Sequence, residues 1–493
     1  MKKIVLIALA LLMVLGAVSC TKKPGSEDNS SQTIEEETLP NYAPDLPNKS
    51  FNGMDFTIAV RWMEGDDDYT WNNNDIVSDG MSGDQISNAV FSRNSFFEEK
   101  YDVFIEIHKC GNCGTGLFGS PMSTFIHQNA MTGDIPINAI LASPYDTVGF
   151  AMSGLITDLE TVDYLNLENE WWDQSALSDL RMGDRIFMVA GDATIVDNKA
   201  VNIYAVNKSI ANHYSIPDIY ETVRAKEWTL EKLVEYSGMV YTDLGPDGPD
   251  LNDQYGFTFW QDQVYTFVTS SGMNFAELDN DGIPRMLISD NRFVDGWEKI
   301  IDTINSDGMF NRTKYAISTG WQEDGSVVFN EGRSLFAGMS VASIMNIMAK
   351  GTDLDYGIIP APLYDEEQDD YITTVAAYGY SMLSIPKTTD GKKLSNTGYL
   401  LEAFSATSKY MILPVFYDLV LQYRVAQIKD DAEMLDLIYS KIHYDIGNFM
   451  NFNDFTTGIL NLFINNDKGI TTWYAGVEAA ITKEIEQMSS IFE

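Results

Sequence analysis

Short apolar runs of β character alternate with longer stretches of helical period through the first third of the chain. Phe56–Val60 (FTIAV), Val103–Ile107 (VFIEI) and Ile137–Leu141 (INAIL) have the length and branched-residue content of buried strands. Between the first two, Ile86, Val90, Phe97 and Tyr101 recur at near-helical spacing, and Ser123–Met131 offers a second helix. Strands and helices alternating at these distances predict a parallel sheet covered on both faces, whose ligands sit outside the carboxyl ends of the strands. That rule directs attention to Arg61-Trp62-Met63-Glu64 and to Ser143-Pro144-Tyr145-Asp146.

A second unit starts with the extended run Val201–Lys208 and continues into Trp228-Thr229-Leu230, where Thr229 is suited to cap a helix carrying Leu230, Leu233 and Val234. Tyr255–Trp260 and Tyr356–Ile359 read as strands. Arg292–Ile304 reads as a helix with Phe293, Trp297, Ile300, Ile301 and Ile304 on one side. Helical patterns fill the end of the chain, at about 398–404, 411–427, 432–444, 456–464 and 476–491. No internal repeat occurs, which sets aside solenoids and propellers.

The amino terminus has a different pattern. Lys2 and Lys3 precede the apolar stretch Ile4–Val18, an export signal too short to span about 30 Å of hydrocarbon. Ala17-Val18-Ser19-Cys20 resembles the lipobox of bacterial lipoproteins, with Ala17 in place of the usual Leu, and implies lipidation of Cys20. An ordinary secretory signal with an incidental cysteine is the alternative. Residues 21–49, polar and punctuated by Pro40, Pro44 and Pro47, read as a flexible tether. The expected location is the outer face of a bacterial cell membrane, or the periplasm, with the body held by the lipid anchor.

Composition narrows the chemistry. The chain has 493 residues, 32 Lys plus Arg against 72 Asp plus Glu, and a formal charge of −40, which repels nucleic-acid backbones and leaves nucleic acid out as a partner. Three cysteines and four histidines provide little for metal or imidazole chemistry, and no cofactor or metal is expected. Cys110-Gly111-Asn112-Cys113 in an exported chain predicts a small local disulfide. Asp243–Asp253 has the oxygen-rich look of a calcium loop but not its register, and reads as an acidic turn; Asp279-Asn280-Asp281-Gly282 reads as a hairpin turn.

Several motifs occur in order along the body. They are Gly154-Leu155-Ile156-Thr157-Asp158-Leu159, the hairpin-like Gly183–Val189, Ile203–Lys208, Trp228–Leu233, Asp253–Phe257, Phe329–Phe336 and Tyr356–Pro362. Together they resemble the extracellular solute-binding proteins of family 1, the maltose-binding-protein-like receptors of carbohydrate ABC transporters. The chain departs from the family at Val189-Ala190, where a Pro is usual, and at Gly338-Met339-Ser340, where a Trp often follows the glycine.

The resemblance implies an α/β, two-lobe periplasmic-binding-protein-like fold of type II, with parallel-type sheets flanked by helices and crossover strands joining the lobes. One lobe would take 50–195 plus 373–408 and the other 196–372 plus 409–493. It also implies a monomer that captures a carbohydrate by hinge closure and passes it to a permease. Aromatic rings for sugar faces and carboxylates for hydroxyls are then expected at Trp62 and Glu64, Tyr145 and Asp146, Asp192, Trp260, Trp321, Tyr378 and Tyr380. For each aromatic, core packing is the competing reading.

An enzyme is not expected. The histidines have no G-x-S-x-G elbow to serve, and no phosphate loop or H-E-x-x-H occurs. The alternatives are a tethered glycoside hydrolase, whose carboxylate pair sequence spacing does not reveal, and a surface sugar-binding or sensor protein without a transporter.

Overall fold

The computed structural model describes residues 40–63, 70–80, 83–111, 120–132, 135–246, 248–311, 314, 325–349, 354–387, 391–422 and 428–492. The chain divides into two units, Met1–Pro40 and Asn41–Glu493, and every described strand and helix belongs to the second. Cys20, the 1–20 leader and most of the 21–49 tether lie outside the described residues, as do Glu64, Cys113 and Trp321. Among the described residues no helix is long and apolar enough to cross a membrane.

The strands are β1 (Met54–Arg61), β2 (Val103–Cys110), β3 (Ala139–Ala142), β4 (Asn202–Asn207), β5 (Tyr255–Phe259), β6 (Ala276–Leu278), β7 (Pro284–Met286), β8 (Ser334–Ser340), β9 (Tyr356–Ile359) and β10 (Met382–Ser384). The first sheet has the order β10-β3-β1-β2, with β1 parallel to β2 and β3 and the returning β10 antiparallel to β3. β3 and the inner part of β1 are buried on both faces, so their alternate residues serve different cores, whereas β2 at the sheet edge leaves Phe104 and Glu106 exposed. Phe56, Ile58, Val60, Ala139 and Leu141 pack with Phe97 of the helix Gln85–Tyr101 and Phe404 of the helix Gly391–Met411. Ala59, Ile140 and Ala142 face the larger core, which continues through the second sheet.

The second sheet has the order β5-β8-β4-β9. β5 and β8 are parallel, whereas β4 runs antiparallel to both β8 and β9. This mixed sheet departs from the parallel pattern for a topological reason. β4 arrives directly from the crossover, and its first residue, Asn202, pairs with Ser340 at the end of β8. β6 and β7 form the expected hairpin around Asp279–Gly282, closed by Asp279 N–H donating to Ile283 O at 2.9 Å. The Gly183–Val189 segment is not a hairpin; Val189 pairs instead with Leu383.

Local chemistry fixes the helix on β5. Thr229 caps Leu230–Val240, its hydroxyl accepting from Lys232 N at 3.3 Å, and Trp228, fully buried, donates to Pro360 O at 3.0 Å. The helix lies so close to β5 that a Cβ on Gly256 would stand 2.0 Å from Ser237 Cα and 2.5 Å from Ser237 O.

Two crossover segments join the sheets and pair with each other. Near the first sheet Val189 and Leu383 exchange backbone hydrogen bonds of 3.0 and 2.8 Å; near the second, Asn202 N donates to Thr374 O at 3.0 Å and Ala376 N to Ala200 O at 2.8 Å. Beside them lies a buried polar cluster. Tyr380 and Tyr444 share a hydroxyl hydrogen bond of 2.6 Å, and Tyr444 donates onward to Asp173. Asp192 faces Lys409 Nζ at 3.6 Å; burial nonetheless outweighs the lysine and, with Asp173 and Glu170 adding repulsion, pushes its pKa to about 7. Asp197 is driven well above the usual carboxylate range, by burial first and then by Asp192.

Two outcomes are expected from this packing. Gly256→Ala forces the helix Leu230–Val240 off β5 and costs about 1–3 kcal/mol, read as a lowered midpoint in chemical denaturation. A carboxylate raised from 3.8 to about 7 holds its proton longer in the folded state, so its contribution to stability declines as pH rises through that window. The melting temperature therefore falls between pH 5 and pH 8, and Asp192→Asn shrinks that fall by on the order of a few degrees. An undiminished fall in the variant would remove Asp192 as a cause.

Candidate functional site

The topology brings the carboxyl edges of the two sheets to one place. β10 begins where β3 ends, with Met382 opposite Ala142, so Tyr378–Ser381 lie on the carboxyl edge of the first sheet. β4 begins where β8 ends, so the other end of the same crossovers lies on the carboxyl edge of the second. Residues following β1, β3, β5 and β8 thus surround a single junction. Two observations tie its sides together. Asn346, in the helix that follows β8, donates to Thr70 Oγ1 in the loop after β1 at 3.0 Å. The phenol of Tyr265 is driven well above its ordinary range by burial first, and then by Tyr145 from one side and Asp262 from the other.

On the first-sheet side, Arg61 ends β1 with only 1% of its surface exposed. Its Nη1 donates to Tyr378 O at 2.6 Å, and the guanidinium carbon lies 4.9 Å from the centre of the Tyr378 ring. Asp146, in the first turn of the helix Pro144–Met152, accepts on Oδ1 from Ser120 Oγ at 2.7 Å. Ser143 caps the helix, its hydroxyl accepting from Asp146 N at 3.2 Å. Burial lifts the Asp146 carboxyl to about 6 against the lowering effect of Ser120, Arg61 and Ser143.

On the second-sheet side, Trp260 follows β5, half-buried, and its indole N–H donates to Asp262. Burial pushes Asp262 to about 6 despite that bond. Gln263, 4% exposed, lies over Gly338 of β8; a Cβ there would stand 2.6 Å from the Gln263 side-chain oxygen. The missing side chain at Gly338 is what admits the glutamine.

The expected residues therefore separate into groups. Trp62, Tyr145, Asp146, Trp260 and Tyr378 come to the junction. Trp62 is half-buried, with Lys109 Nζ over its ring at 3.6 Å, so one face of that ring is already occupied. Asp192 and Tyr380 belong instead to the crossover cluster. Tyr380 is fully buried, its ring packed against Tyr444 and Phe449 and its hydroxyl hydrogen-bonded to that of Tyr444. Glu64 and Trp321 lie outside the described residues.

Cys110 ends β2 as a buried free thiol, which burial first and Asp146 second push to about 12; its expected partner Cys113 lies outside the described residues. In the 243–254 turn both oxygens of Asp253 are engaged, by Leu244 N and Asp250 N at 2.8 Å each, and no group of acids fit for a metal occurs among the described residues.

Arg61, Trp71, Ser120, Asp262, Gln263 and Tyr265 complete the junction and were not among the expected site residues. Trp71 lies flat on Gly379, where a Cβ would meet its ring at 2.8 Å. A charge closing an apolar strand marks Arg61, and an acid two residues past a strand-end tryptophan marks Asp262. Nothing local in the sequence marks Trp71 or Ser120, which reach the junction from long loops.

No family model matches the sequence, and no curated protein matches it. Solved structures do. MalE3 from T. maritima, with maltose bound, is 13% identical and superposes with a TM-score of 0.52 over 88% of this chain and 99% of that one. An ABC substrate-binding protein from Listeria monocytogenes in complex with cycloalternan gives 11%, 0.53, 89% and 98%. UgpB from Mycobacterium tuberculosis, in complex with glycerophosphocholine, gives 14%, 0.54, 88% and 98%. At such identities the likeness is one of architecture, and it spans nearly the whole of each relative: the chain has the two-lobe, type II periplasmic-binding-protein fold of the ABC-transporter solute-binding proteins.

Proposed function

We propose that this chain is an extracellular, lipid-anchored solute-binding protein that captures a carbohydrate between its lobes and presents it to an ABC importer. The observation that carries the reading is the convergence of Trp62, Tyr145, Asp146, Trp260 and Tyr378 on the one junction formed by the carboxyl edges of both sheets. Aromatic faces beside fixed polar groups suit the alternating C–H faces and hydroxyls of a sugar ring. The relatives by fold, named for the maltose, cycloalternan and glycerophosphocholine they hold, support a binding role over a catalytic one.

In this reading the lobes take 50–195 plus 373–408 and 196–372 plus 409–493, with the paired crossovers between them. Ligand bridging the two edges favours the closed form to the extent that it binds that form more tightly, and the permease reads the closed form. Cys20 would carry the anchor and residues 21–49 the tether.

A thermal-shift screen with mono- and oligosaccharides, with amino acids and peptides as controls and chromatography for cleavage, tests the reading. A sugar at 100 times its dissociation constant stabilises by about 2.7 kcal/mol and is recovered intact. Cleaved sugar, or stabilisation only by peptides, overturns it. Trp260→Ala lowers affinity for that sugar about ten-fold or more, while the unliganded melting temperature moves little because the ring is only partly buried. A large loss of stability would show Trp260 to be a packing residue.

A further inference from the structure

An aromatic ring serves as a platform for a sugar when one of its faces is held and the other is clear. By that criterion the aromatic residues gathered at the junction differ. Tyr145 is buried in the core. Tyr378 has the Arg61 guanidinium 4.9 Å from its ring centre, and Trp62 has Lys109 Nζ over its ring at 3.6 Å. Trp71, in the loop after β1, is half-buried, and among the described residues no ring stacks on it and no cation lies over it.

The inner face of Trp71 rests on the returning crossover. A Cβ built on Gly379 would stand 2.8 Å from Cε3, 2.8 Å from Cζ3 and 2.9 Å from Cη2 of the indole. Near-equal distances to three successive ring atoms put Gly379 under the face of the six-membered ring, since an approach to the edge would bring one atom much closer than its neighbours. The glycine therefore sets the height of the ring, and any side chain there would lift it.

The loop fixes the ring from both sides in sequence. Thr70 Oγ1 accepts from Asn346, in the helix that follows β8, at 3.0 Å. After the tryptophan come Asn72 and Asn73, both 0% exposed, and Asp75 at 1%. Asn72 Oδ1 accepts from Met63 N at 2.7 Å, and Asn73 donates from its backbone to Arg61 O at 3.3 Å and from Nδ2 to Thr194 Oγ1 at 3.1 Å. Asp75 accepts from Thr194 Oγ1 at 3.1 Å and Ile195 N at 2.6 Å. These bonds run to the end of β1, to the first crossover and to the second-sheet side, so three enclosed polar side chains hold in place a ring that is itself only half enclosed. A ring set in advance in this way loses little freedom when a ligand lies on it.

We propose that Trp71 is the stacking platform of the binding site, with a pyranose ring of the captured sugar lying C–H face down on the outer face of the indole and Gly379 backing the inner one. This rests on the sugar-binding reading above and adds to it a contact residue that the strand ends do not supply.

The test is isothermal titration of the full chain with maltotriose, cellotriose and xylotriose, followed by variants with whichever of them binds. Trp71→Leu keeps an apolar group over Gly379 but has no flat face, and lowers affinity about ten-fold or more; Trp71→Phe keeps a face and stays within about three-fold of the unaltered chain. Gly379→Ala lowers affinity in the unaltered chain and has no further effect in the Trp71→Leu background, because it acts through the ring. An affinity that Trp71→Leu leaves within about two-fold, or a loss equal in the Leu and Phe variants, overturns the proposal and leaves the sugar-binding reading standing. Additive losses in the double variant overturn the support by Gly379, and no binding by any of the three sugars overturns both readings. Oxidative labelling of the unaltered chain, read by peptide mass, decides the matter even where a variant does not fold: bound sugar protects the Trp71 indole, and equal labelling with and without sugar overturns the proposal.

Discussion

Burying carboxylates in a chain of formal charge −40 is the constraint on which the rest of this structure depends. With 32 basic side chains for 72 acids, most acids must stay in water or be met by neutral donors. The enclosed ones show how this is done. Asp75 takes a backbone N–H and a hydroxyl from the crossover, Glu402 an indole, an amide and a backbone N–H, and Asp253 two backbone N–H groups of its own turn. These acids act as staples that hold loops to helices. Against that background Asp146 differs: Ser120 meets its Oδ1, while its Oδ2 is buried with no hydrogen-bond partner.

The second constraint is topological. Because β10 starts beside the end of β3 and β4 starts beside the end of β8, the paired crossovers connect the carboxyl edges of the two sheets and no other edges. Strand polarity then decides which side chains meet. Arg61, Asp146 and Trp260 all follow or end strands that point toward the crossovers, and helices whose first turns lie at the same edge supply Tyr145 and Gln263. The junction is thus a consequence of chain direction, and the aromatic residues there are positioned by the strands rather than by the loops alone.

Much of this was legible in the sequence, for identifiable reasons. Phe56–Val60 and Tyr356–Ile359 read as strands because nearly every residue is buried, and Val103–Ile107 because buried Val103 and Ile105 alternate with exposed positions; the structure has strands at all three. Thr229 marked a helix start because a cap is a local interaction. β8 and β10 escape a strand reading, since Ser334–Ser340 mixes serine and glycine with its apolar residues and Met382–Ser384 is only three residues long. At the site, Trp62, Asp146 and Trp260 stand out because strand ends are visible in sequence. Tyr380 misleads because a tyrosine two residues from the edge reads the same whether its ring faces the junction or Tyr444. Arg61 and Asp262 carry a local mark at their strand ends, but the Tyr378 carbonyl that anchors Arg61 lies 317 residues away in sequence, and that pairing no local pattern encodes.

The same contacts rank by how readily they could part. The Asn346–Thr70 hydrogen bond joins the two edges through an exposed side chain, and water can replace it at little cost. The chain from Tyr380 through Tyr444 to Asp173 is enclosed, and breaking it would leave hydroxyls and a carboxylate unsatisfied in a dry interior. The backbone bonds between Val189 and Leu383 and between Ala376 and Ala200 carry the same penalty. A motion that opened the junction would have its easiest course in separating the edges while keeping the crossovers and their tyrosine pair intact. Asp192 and Asp197, whose carboxyls burial raises, lie beside those crossovers, and Asp146 lies at the edge that such a motion would uncover.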